Sequence, residues 1–307
     1  MDLNQFLNEK LRLGPQAKDA LEKTCYVAAG GAFGVFIRWL QLQIAFNDDG
    51  LPDASVFNVL VPLAVLAAAI LFFVFIRQYR DRGYYLPSSY TKALQNDGFL
   101  YALMRRLLGA VMCAGALLLF ASSETDRNIV YYRILAVLGL LSGAGFPFAL
   151  AEAGREEPRS ALVCACSTMP ILLWAFWLIT CYKVNSINGV VWAYGIEIVA
   201  VSCLLMGFFR AAGFAYSSPA AWHALYFGML GAFLAIVALA DARYMGMQVM
   251  LLAGAGMLLL YNWIMIRNLR IRKSDPIVAA AVESGGFEDI NEQDRRALRE
   301  NREEEDG

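Results

Sequence analysis

The chain is poor in the residues that most reactions use. It has one histidine, His223, among 307 residues. A single imidazole excludes bis-histidine haem ligation within one chain and any multi-histidine metal site. Charged residues make up only 17% of the sequence, against about 25% in soluble domains. The net charge of −1 leaves no dominant basic face, so no nucleic-acid partner is expected. No HExxH, GxSxG or P-loop pattern occurs. The six cysteines (Cys25, Cys113, Cys164, Cys166, Cys181 and Cys203) fall in or beside apolar runs, where a thiol acts as a small apolar group. Cys164-Ala165-Cys166 lacks the CxxC spacing of redox and zinc motifs. No cofactor and no metal is therefore expected. An enzyme is the least expected class, because no set of nucleophile, base and metal ligand can be recognised. Nor is a cleavable signal peptide expected, since Met1–Lys23 is mixed in charge and has no early apolar core.

What the chain does have is apolar residues, 59% of the total. They come in blocks of about 20, the length that crosses a bilayer at a 1.5 Å rise per residue. Eight spans are predicted, at about 24–45, 56–76, 103–121, 130–151, 161–181, 189–210, 221–240 and 245–266. The predicted fold is all-α, a polytopic membrane bundle. Leu3, Phe6, Leu7 and Leu11 recur at helical spacing before Gly14-Pro15, which predicts an N-terminal interfacial helix within a cytoplasmic segment, residues 1–23. Residues 267–307 follow the transmembrane domain as a short, polar, acid-rich cytoplasmic tail.

Orientation follows from the basic residues of short loops. With the N-terminus inside, the outer loops hold only Arg127, Arg133, Lys183 and Arg243, and the other basic residues of the loops fall inside. Both termini are then cytoplasmic, and the plasma membrane is the expected location. Trp39, Trp177, Tyr182 and Trp192 are predicted at the outer interface, with Tyr84, Tyr85, Trp222 and Trp263 at the inner one. In the longest loop, Pro87-Ser88-Ser89 before Thr91–Asn96 predicts a short helix at the inner interface. Arg77, Arg80, Arg82, Arg105 and Arg106 are candidates to hold anionic lipid headgroups, or are simply the topology signal.

Gly30 and Gly34 form a GxxxG in the first span, and Gly139 and Gly143 repeat the spacing in the fourth, predicting close helix contacts. Pro62, Pro147 and Pro170 lie inside spans and predict kinks. Similar short stretches recur in order through the two halves, among them Phe75-Ile76-Arg77 with Phe208-Phe209-Arg210. They suggest a four-plus-four repeat, although the offset between matches shrinks along the chain.

Two charges fall deep within predicted spans, Arg38 in the first and Glu197 in the sixth. Arg38 is expected about 10 Å from the outer edge and Glu197 about 13 Å from it. An unpaired charge at such depth costs about 2.5–3.5 kcal/mol on insertion scales. Pairing across helices would offset this, with Gln41, Tyr194 or Asn58 completing the hydrogen bonds. Such a group is either a buried structural ion pair or a polar site for an ion, a proton or a small anionic solute. Glu152 and Asp241 are expected at span ends, within reach of water. The leading reading is a multi-pass membrane protein acting as a small-solute or ion permease. The alternative is a non-catalytic membrane subunit or sensor that binds a protein partner through its cytoplasmic loop and tail.

Overall fold

A computed structural model describes residues 15–46, 55–96, 98–123, 126–155, 158–185, 194–241 and 243–271. The predicted interfacial helix over Leu3–Leu11, most of the first outer loop, Trp192 and the charged tail lie outside the described residues. Nine α-helices are present among them: α1 (Pro15–Ile44), α2 (Phe57–Asp81), α3 (Tyr90–Ala93), α4 (Phe99–Ser122), α5 (Ile129–Glu152), α6 (Ser160–Asn185), α7 (Gly195–Ala212), α8 (Ala221–Val237) and α9 (Met245–Arg267). All except α3 are long and apolar enough to cross a membrane. The chain is a multi-pass, all-α membrane protein. Helices dominate because every backbone N–H and C=O in the hydrocarbon region must be satisfied within its own segment.

Six helices close a ring. From α4 to α9 each packs on the next, and α9 returns to α4. The outer pair, α1 and α2, leans on α8, and α1 also reaches α9. Burial follows this plan. In α8 and α9, 72% and 78% of the apolar stretch is buried, against 22% in both α1 and α2. The ring interior is filled by aromatic side chains from four helices. Trp174 of α6 lies 5.2 Å from the Trp177 ring and 6.3 Å from Phe208 of α7. Tyr261 of α9 meets Phe208 at 6.3 Å and Phe146 of α5 at 5.4 Å.

Lipid tails are as apolar as leucine, so helices in a bilayer associate through close packing rather than through the hydrophobic effect. The predicted glycine pairs make that approach. A Cβ on Gly34 would stand 2.6 Å from Val237 of α8, and one on Gly143 would stand 2.8 Å from the Gly109 carbonyl of α4. The contact of α9 with α4 is tighter still: a Cβ on Gly246 would collide with backbone of Gly115 and Leu119. Pro62, Pro147 and Pro170 sit inside α2, α5 and α6, each of which runs through as one helix.

Alternating spans place the helix ends in two sets. At one end lie the start of α1, the end of α2 and the end of α9. There Tyr79 donates to Asp19 at 2.6 Å, and β1 (Tyr84–Tyr85) pairs antiparallel with β2 (Arg270–Ile271). The loop carrying α3 folds back on the bundle. Ala93, Leu94 and Asn96 are buried. Tyr90 donates to the Ala149 carbonyl at 2.6 Å, Asn96 to that of Leu150 at 2.6 Å, and Asn268 to those of Ala93 and Gln95. The other end holds the group described next.

Candidate functional site

Four charged side chains meet at the end of the bundle formed by the close of α1 and α8 and the start of α7 and α9. Arg38 projects from the last two turns of α1. Glu197 is the third residue of α7. Asp241 and Arg243 come from the connection between α8 and α9, after the 3-10 turn Ala238–Ala240. Arg38 Nε is 2.9 Å from Asp241 Oδ1, Arg243 Nη2 is 2.8 Å from Asp241 Oδ2, and Arg243 Nε is 3.1 Å from Glu197 Oε2. The charges thus alternate along a chain of two cations and two anions, and they sum to zero. Exposure is 1% for the Arg38 side chain and 6% for those of Asp241 and Arg243.

Each end of this chain is tied to neutral donors and acceptors. Arg38 Nη1 donates to Gln41 Oε1 at 2.6 Å, Gln41 Nε2 to Asn58 Oδ1 at 3.1 Å, and Asn58 Nδ2 to the Ala45 carbonyl at 3.1 Å. Trp177 Nε1 donates to Glu197 Oε1 at 2.7 Å. Arg243 Nη1 donates to the Ala238 carbonyl at 2.8 Å. Arg243 Nε faces Glu197 without the alignment of a hydrogen bond, so that contact is held by charge. A carboxylate in the first turn of α7 also meets the positive end of the helix dipole. Burial pushes the Asp241 carboxyl above its ordinary value, while Arg38 and Arg243 pull it down.

A cavity of about 430 Å³ opens beside the group, lined by Tyr132, Thr180, Cys181, Val184, Glu197, Arg243, Tyr244 and Met247. It lies between α5, α6, α7 and α9 at the mouth of the six-helix ring. Only the Glu197–Arg243 half of the chain lines it. Tyr244, at its rim, donates to Asp126 at 2.5 Å, which fixes the rim to the α4–α5 connection. The chemistry available here is electrostatic. Both carboxylates are occupied by guanidinium groups, and among the described residues no three His, Cys, Asp or Glu side chains converge as metal ligands would.

The sequence-predicted residues fall into place unevenly. Arg38, Gln41 and Asn58 form one continuous hydrogen-bonded line, and Glu197 belongs to the same group. Arg38 reaches Glu197 through Asp241 and Arg243, which sequence reasoning placed at a span end and in an outer loop respectively. Tyr194 caps the start of α7, where its carbonyl accepts from the Ile198 N–H at 3.2 Å. Glu197 stands in the first turn of α7, which begins at Gly195; the predicted start of its span, near residue 189, lies outside the described residues. Asp241 and Glu152 do not reach water as expected, at 5% and 4% exposure. Asp241 is turned inward because the 3-10 turn carries the chain back over the bundle, where Gln248 donates to the carbonyls of Leu239 and Asp241. Glu152 is covered where the chain folds over the end of α5, taking the Arg159 N–H at 3.0 Å and Arg155 at 2.8 Å. Trp177 is no interface anchor; it is fully buried against Glu197. Trp263 is buried too, packed on Tyr101 at 4.8 Å.

At the opposite end, the basic candidates differ among themselves. Arg77 lies 3.6 Å from Asp81, both exposed. Arg80, Arg82 and Arg106 are exposed, and Arg105 donates to Asn96 at 2.8 Å. No protein-family model, no curated protein and no solved structure matches this chain.

Proposed function

We propose that this multi-pass membrane protein is a permease for a small solute or ion, with its polar site at the Glu197–Arg243 end of the buried charge group. The observation that carries the reading is that a neutral chain of four buried charges borders a cavity with one anion and one cation. A purely structural ion pair offsets its desolvation cost only where its geometry is good and its remaining donors and acceptors are all taken up. Here half of the group is left at the wall of a space of about 430 Å³, within the range that holds small ligands. Arg243 would orient an anionic solute, and Glu197 would orient a cation or a proton. In this reading the cavity faces outward, both termini are cytoplasmic, and the bundle sits in the plasma membrane. The start of α1 and the end of α9 at one end of the bundle, together with the basic residues there, support that orientation.

The test is flux in liposomes of purified protein, following pH and solute. A single neutralisation would unbalance the group, so the informative variant removes both cavity charges together, Glu197→Gln with Arg243→Gln. Met247→Trp fills the same space without touching a charge. Both proteins are expected to elute as folded species on size exclusion and to lose a flux that wild type shows. Wild type without flux, or flux that survives both variants, sinks the reading.

A further inference from the structure

A second cavity lies on the outer surface of the bundle, between the last turns of α2 and the first turns of α8. Its volume is about 670 Å³, and it is lined by Phe73, Ile76, Arg77, Arg80, Asp81, Trp222, His223, Tyr226 and Phe227. The composition is divided along its length. Toward the membrane centre the walls are rings, with Phe73 and Tyr226 edge to face at 6.4 Å. Phe73 is 57% exposed, which in an apolar span means exposed to lipid. Toward the basic end stand two guanidinium groups. Asp81 balances Arg77, at 3.6 Å. The Arg80 side chain makes no ion pair or hydrogen bond among the described residues, so the mouth of the groove carries one positive charge in excess.

We infer that this groove binds one anionic phospholipid, its phosphate against Arg80 and Arg77 and its upper acyl carbons along Phe73, Tyr226 and Phe227. Charge complementarity selects the occupant. A zwitterionic headgroup brings no net charge to the excess cation, and a soluble anion leaves the ring-lined half of the groove empty. The other basic residues at this end do not share the arrangement. Arg82 lines a separate groove of about 360 Å³, where Tyr79 and Lys23 are already turned to Asp19. Arg105 is committed to Asn96. The site is independent of the permease reading, since lipid selectivity can be measured in a protein that moves no solute.

The experiment is native mass spectrometry of the full chain released from micelles containing equal phosphatidylglycerol and phosphatidylcholine. Wild type is expected to retain phosphatidylglycerol in preference. Arg80→Gln should reduce that preference about fivefold, the factor that one basic group near a membrane surface supplies. Arg80→Lys, which keeps the charge, and Arg106→Gln, which removes an exposed charge outside the groove, should both retain it. Arg77→Gln reads the same site a second time, and size exclusion reports the fold of each variant. Equal retention of the two lipids by wild type overturns the proposal. So does a loss in Arg106→Gln as large as in Arg80→Gln, which would mean diffuse attraction to any basic residue. Displacement of the bound lipid by inorganic phosphate alone would show a headgroup site without an acyl groove, and overturns it too.

Discussion

The two ends of the bundle hold charge in opposite ways. At one end Arg38, Asp241, Arg243 and Glu197 are buried, alternate in sign and sum to zero. At the other, Arg77, Arg80, Arg82 and Arg106 are exposed and outnumber their acidic neighbours. The difference teaches that number of charges and depth of charge carry separate information. Basic residues in water near a membrane set orientation and attract anionic lipid at little cost. Charges out of water are costly singly and tolerable only as a closed account of partners. One end therefore reads as a surface and the other as a buried, balanced group.

Removing one member of the buried group should show this most strongly. Arg38→Gln leaves Asp241 with Arg243 as its remaining cation and unbalances the set by one charge. The expected loss is about 3–5 kcal/mol, read as the shift in denaturant or thermal unfolding in micelles. Asp241→Asn added to Arg38→Gln restores neutrality and should recover part of that loss; no recovery would mean that hydrogen-bond geometry, and not charge balance, holds the group. Trp177→Phe comes next. It keeps an aromatic ring against Trp174 but removes the N–H that Glu197 accepts at 2.7 Å, for an expected cost of about 1.5–3 kcal/mol.

How much of this was open to a sequence reader depends on where each residue sits. The eight spans were legible because apolar blocks of membrane length have few alternatives, and Gly30, Gly34, Gly139 and Gly143 marked real helix contacts. Arg38 and Glu197 stood out because charge is rare inside an apolar run. Asp241 and Arg243 did not, because they lie in the short connection between α8 and α9, where charge is ordinary. Nothing local says that a 3-10 turn will fold that connection inward. The available signal was arithmetic: Arg38 needed an acid, and a connection with both signs two residues apart offered one. Trp177 was hidden for a related reason. An aromatic near a span end suits the headgroup zone by composition, and only the arrangement of α6 against α7 turns its N–H toward Glu197 instead. The closing of α4 to α9 into a ring was not legible at all, since it rests on which apolar faces meet and these helices are apolar nearly all round.

Glu152 tests the comparison from the other side, because it is a buried acid at the exposed-charge end. It is 4% exposed, yet its partner Arg155 is 53% exposed, and the Arg159 N–H remains as a second donor. Water can follow Arg155 if the pair is opened. Arg155→Gln should therefore cost about 1 kcal/mol, well under the Arg38→Gln effect, although a buried carboxylate loses its cation in the first case as in the second. An equal loss would mean that depth below the bundle surface, rather than access of water to the partner, decides the cost.

The smallest effect is expected at Arg77. It lies 3.6 Å from Asp81 one helical turn away, and both side chains are about two-thirds exposed, at 68% and 66%. Such a pair gains little from Coulomb attraction in water, gives up side-chain freedom to form, and is screened by salt. Arg77→Gln should change unfolding by about 0.5 kcal/mol or less, and raising salt should erase even that. A stability change here comparable to Arg155→Gln would break the division between the two ends, because it would show that a charge in contact with water at the membrane surface is doing structural work. A negligible change, together with altered lipid retention, would place the role of Arg77 outside the folded chain, in what the membrane brings to it.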